Sequence, residues 1–316
     1  MGADTPDVSI VIVSYNTVEM TRACLRSIFA GTSGLGFEVI VVDNASVDGS
    51  VEVIEAEFPT VRLLPLPVNV GFARGVNRAA AEATGAYLLL LNPDTVVEPG
   101  AVAKLVVFAR AHPSNGIYGG RTLRPDGELE PSSCWALPSP WSLFCFATGL
   151  STVFHRNRLL DPESMGRWPR DTVREVGMVT GCLMLIDRHV WDELDGFDPR
   201  FFMYAEEADL CIRAGQRGWR PIITPEATVV HSVGGSSPSK AHTNAWLLRG
   251  RATLLHKHWS TPSRQFGLAM LWAGSGLRAA LASAHRGPRS AVWPQAWRER
   301  GEWLQGYPAA QEDPVH

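Results

Sequence analysis

Charge is scarce in this sequence, and what there is nearly cancels. Charged residues are 19% of 316, with 29 Lys+Arg against 32 Asp+Glu, a formal net charge of −3. Gripping nucleic acid along a chain needs a strongly basic face, so no nucleic-acid partner is expected. The five cysteines are an odd count with no C-x-x-C pair. That argues against a disulfide framework or structural zinc and leaves reduced thiols. Met1 to Asp7 is short and acidic and runs into strand-like sequence, so no secretory leader is expected. No Gly-x-Gly-x-x-Gly follows an expected strand, which removes a dinucleotide-binding dehydrogenase. A nucleotidyltransferase would want a Gly-rich loop with a basic residue after its first strand, where Ser14-Tyr-Asn-Thr17 stands instead. No apolar run reaches the roughly 20 residues of a membrane span, and no internal repeat is found.

What is present is core-forming sequence, 45% hydrophobic. That is enough for one large domain with an appendage, or for two domains. Val8-Ser-Ile-Val-Ile-Val-Ser14, Phe37-Glu-Val-Ile-Val-Val42, Val61-Arg-Leu-Leu64 and Tyr87-Leu-Leu-Leu-Leu91 read as buried strands. Helical spacing lies between them. Thr17 is placed to cap a helix through Met20, Cys24, Leu25 and Ile28 that stops at Gly31, and helices are expected over 46–58 and 75–84. Such alternation predicts an α/β fold whose mostly parallel central sheet has right-handed crossovers.

From Tyr118 to about Arg170 the pattern is irregular, rich in Pro, Gly, Ser and Trp. Regularity returns with an expected strand over 178–186 and short helix over 188–194, then a helix from Ala205. Short strands over 221–223 and 227–230 end at His231. After a Gly/Ser-rich stretch at 234–239 the chain turns helical. Trp272, Trp293, Trp297 and Trp303, with neighbouring arginines, would suit a helix lying on a membrane surface.

Ligands of parallel sheets sit beyond the carboxyl ends of the strands. Polar clusters follow three of the first four strands: Tyr15-Asn16, Asp43-Asn44 and Asn92-Pro-Asp94. Asp43 can accept hydrogen bonds from a base or ribose, or simply serve a helix-initiating turn. Asp94 can ligate a hard cation bridging a diphosphate, or sit solvated in an Asx-Pro turn. Glu206-Glu207-Ala-Asp209 opens a helix, where acids favour the dipole. Adjacent carboxylates with an apolar approach, Phe201-Phe-Met-Tyr204, can equally tune a general base toward neutrality. His231 ends a strand, and its imidazole is a competent Mn²⁺ ligand.

Taken in order, these segments resemble the family 2 glycosyltransferases, in particular their rhamnosyltransferase-like branch. The resemblance is carried by Val8 to Asn16, Val-Val-Asp-Asn-Ala-Ser46, Asn69-Val-Gly-Phe-Ala-Arg-Gly-Val-Asn77, Leu-Leu-Asn-Pro-Asp94, Thr-Gly-Cys-Leu-Met-Leu-Ile186, Gly-Phe-Asp-Pro-Arg-Phe-Phe202, Glu-Glu-Ala-Asp-Leu-Cys-Ile-Arg213 and His231. It covers about residues 8–235 and implies a GT-A fold, taken as domain 1–235, and an inverting transfer from a nucleotide sugar; the composition beyond it predicts a C-terminal helical extension over 236–316 with peripheral membrane contact.

By the same resemblance, Asp43 contacts the nucleotide base, with Tyr15, Asn16 and Asn44 in its pocket. Asn69, Arg74 and Asn77 flank base and phosphates. Asn92 and Asp94 stand in place of the family's D-x-D. Asp94 and His231 are implied as ligands of a divalent cation (Mg²⁺ or Mn²⁺), and Glu207, beside Glu206, as the base. Asn92 replaces the first acid of D-x-D, and Glu207 replaces the usual Asp. The implied donor is dTDP-L-rhamnose, with UDP- and GDP-sugars fitting the same motifs. The implied acceptor is a hydroxyl of a glycan, lipid-linked glycan or glycoside, with Arg249 or Arg251 pairing with a phosphate. The setting implied is the cytoplasm, at the inner face of the cell membrane. A non-catalytic nucleotide-sugar binder of the same fold is the competing reading.

Overall fold

The computed structural model describes residues 5–231, 240–284 and 292–309, so the Gly/Ser-rich stretch at 234–239 lies outside them. In chain order the first elements are β1 (Val8–Ser14), α1 (Val18–Gly31), β2 (Phe37–Asp43), α2 (Ser50–Glu57), β3 (Arg62–Pro65) and α3 (Phe72–Glu82). Next come β4 (Tyr87–Leu91), β5 (Thr95–Val97), α4 (Ala101–Ala111), β6 (Ile117–Leu123), β7 (Cys134–Trp135), α5 (Pro140–Ala147) and α6 (Leu150–Val153). Then follow β8 (Arg174–Glu175), β9 (Met178–Val179), β10 (Leu183–Asp187), α7 (Arg188–Glu193), α8 (Glu206–Gln216) and β11 (Ile222–His231). The chain closes with α9 (Lys240–His258), α10 (Thr261–Ala284), α11 (Val292–Arg298) and α12 (Arg300–Trp303).

These elements fall into two units. The first comprises Met1–Trp135, Pro169–Asp198 and Glu207–Ser236; the second comprises Ala136–Trp168, Pro199–Glu206 and Ser237–His316. The 136–168 segment and the 199–206 turn therefore group with the C-terminal helices, where a single cut at residue 235 places them with the sheet.

In the first unit the sheet runs β3-β2-β1-β4-β10-β6-β11-β5, with β8 paired to β11. The pairs β3–β2, β2–β1, β1–β4 and β6–β11 are parallel, whereas β10 is antiparallel to both β4 and β6. β1 is buried along its whole length because strands flank both its edges and helices cover its faces. One face packs Ile10, Ile12, Val41 and Leu89 against Cys24, Leu25 and Ile28 of α1 and Val102 and Leu105 of α4. Each such aliphatic side chain contributes about 1.5–3 kcal/mol by leaving water. α3 meets the sheet closely: a Cβ at Gly75 would lie 3.0 Å from Val13 Cγ1.

Several boundaries differ from the sequence reading. Thr17 does not cap α1 through its side chain; Asp48 Oδ2 instead accepts from Val18 N at 2.9 Å. The helix expected from residue 46 starts at Ser50, after Gly49 turns left-handed at φ 84°. Ile117–Leu123, where irregularity was expected to begin, is an interior strand. Its Gly119-Gly120 lowers strand propensity but permits close approach: a Cβ at Gly119 would lie 2.6 Å from Val179 Cγ1, and one at Gly120 would overlap the Ala227 carbonyl oxygen. The expected strand over 178–186 is two, β9 and β10, parted at Thr180–Cys182. Conversely, the two strands expected around Pro225 are one, with a register shift between Ile223 and Thr228 that accommodates the proline. All five cysteines are buried and unpaired.

The second unit is helical, with a core of Leu143, Leu248, Leu255, Leu271, Ala296 and Trp303. Its tryptophans are mostly spent on packing. Trp303 is 1% exposed and donates Nε1–H to Ala296 O at 2.8 Å, and Trp293 packs against the same core. The glycines interrupting α10 are contact points: a Cβ at Gly274 would lie 2.6 Å from the Phe146 ring, and one at Gly276 would lie 2.9 Å from Trp297. Arg278 donates to Phe146 O at 2.7 Å and stacks over that ring at 4.0 Å. Burial pushes its guanidinium down to about 10. Trp272 remains exposed. Among the described residues no helix is long and apolar enough to cross a membrane.

Candidate active site

Parallel register brings the first polar clusters to one edge. Ser14 of β1 stands opposite Asp43 of β2, and β4 lies on the other side of β1 with Val11 paired to Leu90. Asp43 is 1% exposed. Its Oδ1 accepts from Ser46 N at 2.9 Å, while Oδ2 is buried without a hydrogen-bond partner. The following turns are strained, with φ 51° at Asn16 and 67° at Ala45, the kind of backbone that persists only when its surroundings hold it.

The asparagines do that holding. Asn16 donates its backbone N–H to Ser46 Oγ at 2.9 Å, and its side-chain Oδ1 accepts from Val47 N at 2.8 Å, lacing the β1 and β2 turns together. Asn44 donates to Gly71 O at 3.2 Å and accepts from Val70 N at 2.9 Å. Asn69 accepts from Gly71 N at 2.9 Å. Asn77 binds Phe197 both ways, at 2.7 and 3.0 Å. These side chains shape the loops, so their expected contacts with a nucleotide are not what the hydrogen bonds display. By contrast Tyr15 keeps its ring exposed, and the buried Asp43 Oδ2 keeps its hydrogen-bonding capacity unspent. Arg74 sits half-buried in the first turn of α3.

Asp94 and His231, far apart in sequence, become neighbours. β5 pairs antiparallel with β11, placing His231 across from Thr95 and His231 Nε2 3.2 Å from Asp94 Oδ1. Both residues are buried, and Asp94 Oδ1 and His231 Nδ1 have no hydrogen-bond partner. Burial lifts the nearby Cys24 thiol well above its usual range, with the Asp94 charge adding to it. Asn92 is half-buried, and its carbonyl oxygen accepts from the Cys24 thiol at 3.7 Å. Asp94 Oδ1 and His231 Nε2, 3.2 Å apart in a buried corner, have the spacing of two ligands of one divalent cation. Among the described residues no group of three His, Cys, Asp or Glu gathers.

Glu207 reaches the same edge from α8. Its Oε1 accepts from Gly181 N at 3.1 Å, just ahead of β10. The reporter of the arrangement is Cys182, whose Sγ lies 3.0 Å from Thr180 Oγ1. Burial pushes its thiol up to about 11, and the charges of Glu207 and Asp94 both push the same way. Asp209 is separate: it pairs with Arg213 Nε at 2.8 Å, fully buried, so it serves the helix. Glu206, also buried, acts electrostatically on Tyr307, whose phenol is raised chiefly by burial.

The expected phosphate-pairing arginines have partners within the helical unit. Arg251 pairs with Glu163, and Arg249 donates to Gly306 O at 3.2 Å and lies over the Tyr307 ring. Sequence reasoning gave no role to Gly181, although it quoted the Thr-Gly-Cys-Leu segment that contains it. It also passed over Arg121 on β6, whose Nε is buried without a hydrogen-bond partner. The signal for Arg121 was a lone cation after two glycines, legible only once that stretch is known to be a strand.

A mostly parallel sheet with a buried acid–imidazole pair at its edge and Glu207 bonded to Gly181 is the frame in which the relatives are compared. The model of Glycosyl transferase family 2 matches residues 9–165; the chain carries a domain of that family there and is a glycosyltransferase. An N-acetylglucosaminyl-diphospho-decaprenol L-rhamnosyltransferase of Mycobacterium tuberculosis is 28% identical over 250 residues, covering 70% of this chain and 75% of that one. The O-antigen biosynthesis protein RfbC of Myxococcus xanthus is 27% identical over 248 residues, 77% of this chain and 19% of that longer protein. Among solved structures, a mannosyltransferase from Pyrobaculum calidifontis in complex with GDP-Man and Mn2+ matches with TM-score 0.56 at 18% identity, covering 95% of this chain and 83% of its own. That likeness is one of fold, the GT-A type.

Proposed function

We propose that the chain moves L-rhamnose from dTDP-L-rhamnose to a hydroxyl of a glycan or lipid-linked glycan, with inversion at the anomeric carbon. The observation that carries this reading is the buried pair of Asp94 and His231, 3.2 Å apart, with Glu207 held by the Gly181 N–H just ahead of β10. The Mycobacterium relative, named as a rhamnosyltransferase acting on a decaprenol-linked sugar, supports the donor and the acceptor class. Asp43 and Tyr15 would receive the nucleoside.

Asp94 and His231 would hold a divalent cation, which when bound neutralises charge growing on the leaving diphosphate. Glu207 takes the proton from the acceptor hydroxyl. The oxygen so freed attacks the anomeric carbon from the face opposite the diphosphate, and the breaking C–O bond leaves its electron pair on the nucleoside diphosphate. The Gly181 N–H fixes Glu207 Oε1 and with it the plane of the carboxylate. The helical unit would serve the acceptor. Its α10 keeps Trp272, Leu277 and Leu281 exposed beside a cleft of about 600 Å³ that also includes Trp297 and Arg298. That composition suits peripheral contact with lipid at the cytoplasmic face of the membrane.

A thermal-shift panel of dTDP-, UDP- and GDP-sugars, with and without Mn²⁺, tests the donor. The largest rise in Tm is expected for dTDP-L-rhamnose with the cation, because binding the folded state stabilises it. An equal or larger rise with another nucleotide would replace the donor. Co-sedimentation with anionic lipid vesicles tests the membrane contact.

A further inference from the structure

Tyr204 and Ala205, the residues just ahead of α8, have φ of 68° and 77°. Two successive non-glycine residues seldom stay left-handed unless their surroundings impose it. Here the surroundings are specific. A Cβ at Gly250 of α9 would overlap the Tyr204 carbonyl oxygen and lie 2.9 Å from Ala205 Cβ, so only glycine lets that helix touch the turn. On the other flank Tyr307 donates Oη–H to Met203 O at 2.7 Å, and its ring meets Phe201 edge-on at 6.0 Å. Tyr307 is itself strapped down: its N–H donates to Thr253 Oγ1 at 2.8 Å, and Arg249 lies over its ring while bonding Gly306 O. The tail beyond α12 and the middle of α9 thus grip one three-residue turn.

We propose that Gly250 and Tyr307 are positioning residues that hold the turn at Met203–Ala205, with Tyr204 and Ala205 left-handed, and so fix where Glu206 and Glu207 enter α8. Neither touches substrate in this account; each acts through the backbone that carries Glu207. The inference rests on reading Glu207 as the base.

The test compares Gly250→Ala, Tyr307→Phe and Glu207→Gln with the parent chain. Two readouts are used: nucleoside-diphosphate release from dTDP-L-rhamnose with Mn²⁺, or from whichever sugar nucleotide stabilises most, and hydrogen exchange of the 203–207 amides. Gly250→Ala is expected to lower kcat roughly tenfold or more with donor KM within about twofold, because the lost geometry matters in the transition state and not in donor binding. Its 203–207 amides should exchange faster. Should Gly250→Ala not fold, Tyr307→Phe decides, with kcat down roughly threefold and the same amides faster. A folded variant with parental kcat, or with faster exchange and no loss of kcat, overturns the proposal. If Glu207→Gln keeps full turnover, the base assignment falls and takes this inference with it. If Glu207→Gln is inactive while folded Gly250→Ala is fully active, this inference alone falls.

Discussion

In the sheet unit, the residues proposed for the chemistry stand at or shortly beyond the end of a buried strand: Tyr15 after β1, Asp43 closing β2, Asp94 after β4. In the helical unit, the residues that stand out by type are turned inward. Trp303 is buried against Ala296, Arg278 is wedged on Phe146, and Arg251 is paired with Glu163. The contrast has a physical origin. A parallel sheet delivers its strand ends to one edge whatever the side chains are, so place alone marks function there. A helical bundle presents any face to any neighbour, so a tryptophan or arginine carries no address until its packing is known.

The sharpest way to break this comparison is Glu207→Gln. Turnover is expected to fall about 10²–10⁴-fold, the range of general-base catalysis, with donor affinity unchanged by calorimetric titration. Loss of donor binding in parallel would make Glu207 a structural residue and erase the distinction. The next largest effect belongs to the other unit. Trp303→Ala should lower stability by about 3–5 kcal/mol, whereas Trp272→Ala, on an exposed ring, should stay within roughly 1 kcal/mol. Chemical denaturation of both variants measures this, and similar losses would mean Trp272 is packed after all.

A smaller effect sharpens the sheet side. Glu38 is partly buried, which opposes its charge, yet hydrogen bonds from Ser9 and Thr84 outweigh that and hold its carboxyl below the usual value of 4.5. A depressed folded-state pKa stabilises above the unfolded value, and that contribution is lost as pH falls through the folded one. Glu38→Gln should therefore be less stable at neutral pH, with the gap narrowing below about pH 4.5. A gap constant with pH would show that the carboxylate's charge plays no part.

Much of the sheet was legible because its strands are written in β-branched and leucine runs: Tyr87–Leu91 was read with its observed bounds. β6 was not, since Gly119 and Gly120 serve close contact with β9, β10 and β11 neighbours and not strand propensity. β11 was split by Pro225, which a bulge absorbs. At the site, Asp94 and His231 could be named from sequence, but their adjacency depends on β5, a three-residue strand too short to show a period. The roles of Asn16, Asn44 and Asn77 were the hardest to read. An asparagine that binds a ligand and one that braces a loop are the same residue in a sequence, and only the hydrogen-bond partners separate them.

The most direct measurement is Mn²⁺ binding followed by electron paramagnetic resonance, with dTDP present, for the parent chain and for Asp94→Asn and His231→Ala. The account predicts a nucleotide-dependent bound Mn²⁺ signal in the parent that weakens at least about tenfold in each folded variant, the range expected when a ligand or its support is removed. Undiminished Mn²⁺ uptake by both variants would contradict it and place the cation, and the chemistry it assists, elsewhere.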